Sequence, residues 1–358
     1  MPVKQKAPTR PPGPPAPQRA PAPPPRWEKR RSVWPAVLAV LLAAGAGGFA
    51  LGMSLRDPPP LPQALPAAVL DGVPASPSVV PSPLREPDPW REGPAPGELC
   101  SAAAFLMRAA DGAAVYTKNP DQVVYPASLT KMMTVLVVLD RLEDLDEVLV
   151  MPEEIYEPLW KRSAALAGFL PGEEVTVRDL LYGAMLPSGA ECCEALAIRA
   201  AGGSQAFVDL MNQKAAELGL GYTHFTNVTG LHDDMQYTSV RDMAALLRRA
   251  LEQETFRQVF TTPQYTVPAT NLHPQGLTLR SSMYKGLGAR AFAGGEILGG
   301  KTGFTDEASL CFASLARVNG EEYILVTVRA EGGPRQGAGH IQDALLLYGG
   351  LAQACLDP

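Results

Sequence analysis

Ser128 and Lys131 stand three positions apart at the head of an apolar run, and on a helix that spacing puts both side chains on one face. A serine hydroxyl is a weak nucleophile until a neighbour takes its proton, and Lys131 is the only titratable group held this close to it along the chain. To take that proton the lysine must be neutral. Burial beneath Met132, Met133, Val135 and Leu136 favours the neutral amine, and a second cation nearby favours it further, with Lys301 the candidate. Lys301-Thr302-Gly303 follows Gly299-Gly300 and precedes Phe304, so it is expected on or beside an edge strand whose glycines admit another backbone. There Lys301 and Thr302 can bind a substrate carboxylate, while the N–H of Phe304, just past Gly303, can join that of Ser128 as an oxyanion hole. Ser188, in Leu186-Pro-Ser-Gly-Ala-Glu191, offers a third hydroxyl able to relay a proton to a leaving amine. Each string alone has a plainer reading: Ser128 and Ser188 as helix caps, Lys131 and Lys301 as solvated surface charges. Their order and the elements around them favour acyl transfer.

Those elements are legible as periodic segments. Ala102 to Arg108 reads as a strand, Asp111-Gly112 as a hairpin turn and Ala113 to Lys118 as the returning strand. A second hairpin, Ala308 to Val318 and Glu322 to Ala330, is joined by Asn319-Gly320 and followed by a terminal helix from Ile341 to Leu356. Between these ends lie helical patterns at Leu129 to Leu142, Val177 to Ala201 (with a break around Ser188), Gln205 to Leu218 and Val240 to Leu251. Strands from both ends around a helical middle predict the α+β class: one antiparallel sheet with flanking helices and an inserted helical lobe.

The 358 residues are 46% apolar, enough for a substantial core, yet unevenly distributed. Residues 1–31 are crowded with proline and carry eight Lys/Arg against the single Glu28, although the whole chain has a net charge of −6. Such a tail cannot bury enough apolar surface to offset its ordering entropy and is expected to be disordered; binding to nucleic acid is not favoured. Residues 32–55 contain no charge and match the roughly 20 residues a bilayer-spanning helix needs. Lys29, Arg30 and Arg31 before the span, against Arg56 after it, place the N-terminus in the cytoplasm and the rest outside. A cleaved signal peptide is the rival, disfavoured by the length of the apolar run and of the preceding tail. Residues 56–97 read as a proline-rich spacer, able to hold a domain spanning 98–358 on the order of 100 Å from the membrane. The five cysteines are an odd number for an external protein, and adjacent Cys192 and Cys193 suit small buried positions on a helix. The four histidines have no metal-ligand spacing, and neither a metal nor a cofactor is implied.

With the motifs placed, the chain from about Glu98 to Asp357 resembles the serine-type D-alanyl-D-alanine carboxypeptidases, low-molecular-mass penicillin-binding proteins of the peptidase S11 family. The likeness extends to Tyr125-Pro-Ala-Ser-Leu-Thr-Lys-Met-Met-Thr134, Gly219-Leu-Gly-Tyr-Thr-His-Phe-Thr-Asn-Val-Thr-Gly-Leu-His232 and Gly299-Gly-Lys-Thr-Gly-Phe-Thr-Asp-Glu-Ala308. It implies a β-lactamase/transpeptidase-like fold, a peptidoglycan stem peptide as substrate and β-lactams as covalent inhibitors. It further implies Ser128 as acyl nucleophile, Lys131 as base, Ser188 as proton relay, and Lys301 and Thr302 as carboxylate ligands. The middle motif departs from the family's usual S-x-N, with Ala190 where the asparagine would stand. Alanine can neither bond the substrate backbone nor orient the lysine, so activity is reduced or another polar group substitutes. The family's additional carboxylate-binding arginine has only a poorly registered counterpart in Arg335. The alternatives are a β-lactamase, for which no deacylating glutamate loop is identifiable, and a non-catalytic or weakly active penicillin- or wall-binding protein.

Overall fold

The computed structural model describes residues 99–354 apart from 286, 288–289 and 333–337. The basic tail, the uncharged span and the spacer lie outside the described residues, as do Arg335 and Cys355. Among the described residues no helix is long and apolar enough to cross a membrane.

The chain enters through β1 (Ser101–Arg108), whose run Ala103 to Met107 is buried on both sides, as a central strand requires. Asp111 and Gly112 turn it into β2 (Ala114–Lys118): Gly112 takes φ +74°, and the Asp111 carboxylate accepts from the Ala113 N–H at 3.0 Å. The middle of the chain then builds α1 (Thr130–Arg141), β3 (Val148–Val150), α2 (Tyr156–Lys161), β4 (Glu174–Thr176), α3 (Val177–Met185), α4 (Ala190–Ala201), α5 (Ser204–Glu217), α6 (Val240–Ala250) and α7 (Glu254–Thr261). The hairpin of β5 (Gln264–Val267) and β6 (Leu277–Arg280) follows, then β7 (Ala291–Phe292), β8 (Gly295–Thr305), β9 (Ser309–Val318), β10 (Glu321–Ala330) and α8 (Gly339–Ala354).

The principal sheet is six-stranded and antiparallel, in the order β2-β1-β10-β9-β8-β7. It is assembled from both ends of the described chain, as the two hairpin signals predict. Asn319 and Gly320 both adopt positive φ, +48° and +89°, the signature of the tight turn that matches strand twist. Side-chain alternation divides the core between the two faces of the sheet. Phe105, Met107, Ile324, Val326, Ala313 and Leu315 belong to the core shared with the helical lobe, whereas Leu106, Leu325, Ile297 and Phe312 pack with α8 through Ile341, Leu347, Tyr348 and Leu351.

The expected helices are present, with one division made definite. The Val177 to Ala201 pattern forms two helices, separated where Ser188 takes φ +72° and Gly189 begins the second. A capping box at Thr176 and Asp179 starts the first of them. Sequence patterning missed α2 and α7, which are short, and the two-stranded sheets β3-β4 and β5-β6, whose strands are three or four residues long. The four described cysteines, Cys100, Cys192, Cys193 and Cys311, are free thiols, and all but Cys100 are buried.

Candidate active site

Ser128 lies in a 3-10 turn, Ala127–Leu129, that leads directly into α1. It caps neither segment: the cap positions are Pro126 and Leu129, and neither makes a side-chain capping bond. The turn is tight because Ala127 is held in the left-handed region at φ +46°, a cost that the surrounding packing must sustain. Lys131, one turn on, is 2% exposed, and its ammonium donates to the Ser128 hydroxyl at 3.2 Å and to the Thr229 carbonyl. Burial pushes the Lys131 pKa below its ordinary value, opposed by the electrostatic influence of Cys193 and Glu191.

Ser188 sits in the break between α3 and α4, where the N-cap position of α4 belongs to Gly189. Freed from capping, its hydroxyl accepts from the Lys301 ammonium at 2.9 Å. Lys301 is fully buried on β8 and also donates to the Thr302 carbonyl at 2.8 Å. Its pKa is driven well down, first by burial and then by the neighbouring Lys131 charge. The influence runs from Lys131 to Lys301, whereas the sequence suggested Lys301 as the cation acting on Lys131.

Strand β8 pairs with β9 along its whole length but with β7 only through Gly295 and Glu296, leaving the Lys301 to Phe304 segment on the open edge. That edge faces Ser128. A Cβ at Gly303 would lie 3.1 Å from the Ser128 backbone nitrogen, and one at Gly299 would lie 2.5 Å from the Phe260 carbonyl at the end of α7. Glycine at these two positions lets the strand close on both neighbours, the purpose its sequence suggested. Phe304 follows on the same edge, in register with Leu310 of β9. The Thr302 hydroxyl shares a 2.6 Å hydrogen bond with the Ser282 hydroxyl, and the Ser282 N–H donates to Leu186, two residues before Ser188.

Three groups around the cluster went unread in the sequence. The Thr229 carbonyl carried no side-chain signal, and Ser282 lies in no periodic element. Glu191, fully buried after Ala190, accepts through Oε1 from Ala167 and Gly168 at 2.6 and 2.9 Å, tying the 164–168 loop to the start of α4. The Glu after the Ser188-Gly-Ala190 string was its only available trace. Ala190 itself is buried, with its N–H bonded to the Ala165 carbonyl at 2.8 Å. His232, next to Asp233 and Asp234, lies with its ring 3.2 Å from the Asp234 carboxylate and packs edge-on against Tyr125.

A serine bonded to a buried lysine, beside the edge strand of an antiparallel sheet that carries a second buried lysine, marks a serine hydrolase with the penicillin-binding, β-lactamase-like fold. Residues 91–332 match the peptidase S11 family, D-alanyl-D-alanine carboxypeptidase, and the chain belongs to that family. It is 31% identical over 239 residues to a D-alanyl-D-alanine carboxypeptidase of Streptomyces sp. (strain K15), covering 65% of this chain and 81% of that one. A D-alanyl-D-alanine endopeptidase of Pseudomonas aeruginosa is 34% identical over 258 residues, covering 71% of this chain and 79% of its own. Among solved structures, the Streptomyces K15 DD-transpeptidase superposes with a TM-score of 0.63 at 29% identity, over 73% of this chain and 99% of that one.

Proposed function

We propose that the protein removes the terminal D-alanine of peptidoglycan stem peptides through an ester on Ser128. Neutral Lys131 takes the Ser128 proton as Oγ attacks the carbonyl of the penultimate D-alanine. The oxyanion is held by the N–H groups of Ser128 and Phe304, the latter admitted to the cleft by Gly303. Lys301 and the Thr302 hydroxyl bind the terminal carboxylate. As the C–N bond breaks, the proton passes through Ser188 to the departing amine, and water then hydrolyses the ester with Lys131 again as base. The observation that carries this reading is the Lys131 Nζ, buried and 3.2 Å from the Ser128 hydroxyl, with a pKa lowered by desolvation.

Intact-mass measurement after incubation with penicillin tests it. One β-lactam should add to the native chain and none to Ser128→Ala; stoichiometric labelling of that variant would remove Ser128 from the mechanism. Because the Lys131 pKa is depressed from 10.5, the acylation rate should be high above the lowered value and fall as acid protonates the amine. The absence of charge over 32–55 and the basic residues before it support a single membrane span with the enzyme outside. Protease added to intact cells with an accessible surface should release the domain and leave a short N-terminal fragment; protection of the domain would reverse the orientation.

A further inference from the structure

The segment Phe225-Thr-Asn-Val-Thr-Gly-Leu231 has no part in the chemistry above, yet it touches both members of the Ser128–Lys131 pair. The Thr229 carbonyl accepts from the Lys131 ammonium, and the Val228 carbonyl accepts from Thr134, one turn further along α1, at 2.7 Å. Gly230, at φ +80°, lies against the peptide linking Ala127 to Ser128: a Cβ there would stand 2.0 Å from the Ala127 carbonyl oxygen and 2.9 Å from the Ser128 nitrogen. One side chain organises this turn. The Asn227 amide oxygen accepts from the Thr229 N–H at 3.2 Å, the Thr229 hydroxyl at 3.1 Å and the Gly230 N–H at 2.8 Å, while its NH2 donates to the Leu231 carbonyl at 2.9 Å. The backbone on its N-terminal side is anchored as well, with the N–H groups of Thr226 and Asn227 donating to Gln236 Oε1 at 3.1 Å.

We propose that Asn227 is a positioning residue for Lys131, acting through the Thr229 carbonyl and supplying the orientation that Ala190 cannot give. The inference rests on the reading of Lys131 as the base. Ser188, the only hydroxyl of the middle motif, is bonded to Lys301, and Ala190 ends in a methyl group. The lysine's acceptors among the described residues are therefore the nucleophile itself and Thr229. A backbone carbonyl cannot rotate as a side chain does, so its aim is set by the turn that carries it, and that turn closes on Asn227. The same carbonyl favours the protonated amine, so its placement also tunes the pH at which the base becomes available.

The test measures penicillin acylation across pH for the full chain and for Asn227→Leu, Asn227→Asp and Lys131→Ala, with a thermal melt of each. Asn227→Leu keeps the branched side-chain shape and loses every bond; its acylation should be slower by about tenfold or more, the worth of one hydrogen bond to a charged group, and its acid limb should move to lower pH as the ammonium loses an acceptor. Asn227→Asp keeps the triple acceptor and adds negative charge near the lysine, so it should retain most of the rate and move the limb to higher pH. Opposite displacements of the limb are not expected of general loosening. If Asn227→Leu acylates with the native rate and limb while Lys131→Ala is slow, the proposal is overturned and the base assignment stands. If Lys131→Ala acylates normally, the base assignment falls and takes the proposal with it. Should Asn227→Leu fail to melt cooperatively, Thr229→Val decides: it removes the hydroxyl's bonds to Asn227 and Leu231 without adding bulk. That variant should be slower by about threefold with the limb displaced to lower pH, and a native rate and limb overturn the proposal.

Discussion

The two faces of the central sheet bury polar groups in opposite ways. On the α8 face, Asp343 reaches back to the first strand and accepts from Cys100 N–H at 2.9 Å, Ser101 N–H at 2.7 Å and the Ser101 hydroxyl at 2.5 Å. Tyr348 on the same helix shares a 3.0 Å bond with Ser314 of β9. These bonds join α8 to the chain at β1 and to β9. On the lobe face, Lys131 and Lys301 are equally buried, but among the described residues no carboxylate lies within ion-pair distance of either. Their partners are hydroxyls and backbone carbonyls. A buried ammonium without a counter-charge is costly in its charged form, and that cost is what makes a lysine available as a base. Buried carboxylates and hydroxyls fix the fold around α8, as Glu191 does in the lobe, whereas the two buried lysines have no ion-pair partner among the described residues.

The largest difference should come from exchanging a residue on each face. Lys131→Ala should fold, since it relieves a buried charge, while its penicillin acylation drops by about 100-fold or more, the scale of a lost general base. Leu347→Ala, in the fully buried seam beneath α8, should do the reverse: stability falls by about 2–5 kcal/mol in denaturant titration while the folded fraction labels at the native rate. If Lys131→Ala instead destabilised the domain and Leu347→Ala slowed acylation, the separation of the two faces would be lost.

Acid should distinguish the faces next. His340, at the start of α8, is buried against Phe312 with its pKa pushed from 6.5 down to about 4 by desolvation. A depressed histidine stabilises the fold when neutral, so its contribution is complete above pH 6.5 and is lost as pH falls towards 4. The loss should approach about 3 kcal/mol, and His340→Gln should flatten that part of the stability profile without altering the acid limb of acylation. A displaced acylation limb in that variant would mean that the two faces communicate.

The smallest effect is expected at Ala190. If the Asn227 turn already orients Lys131, Ala190→Asn should change acylation by less than about threefold in the native background, yet recover part of the rate lost in Asn227→Leu. A large gain in the native background would show instead that the missing amide still limits the site.

Much of this arrangement is written in local pattern. Helix α1, the two tight-turn hairpins and the assembly of one sheet from both chain ends follow from apolar periodicity and from Asp111-Gly112 and Asn319-Gly320. The short α2, α7, β3-β4 and β5-β6 escaped because three to eight residues are too few for a period to emerge, and their stability comes from what they pack against. Ser128, Lys131, Ser188, Lys301, Thr302, Gly303 and Phe304 could be singled out from the sequence as candidates, because the proposed nucleophile, base and carboxylate ligands need particular side chains. Which lysine bonds which serine was not: Lys131 takes Ser128 and Lys301 takes Ser188, a pairing set by where β8 meets the 3-10 turn and the α3–α4 break. The left-handed backbone at Ala127 and Ser188, the Thr229 carbonyl and the Ser282 hydroxyl behind Thr302 were decided by tertiary structure alone. A carbonyl oxygen is the same in every residue of the sequence, and only the fold gives it a direction.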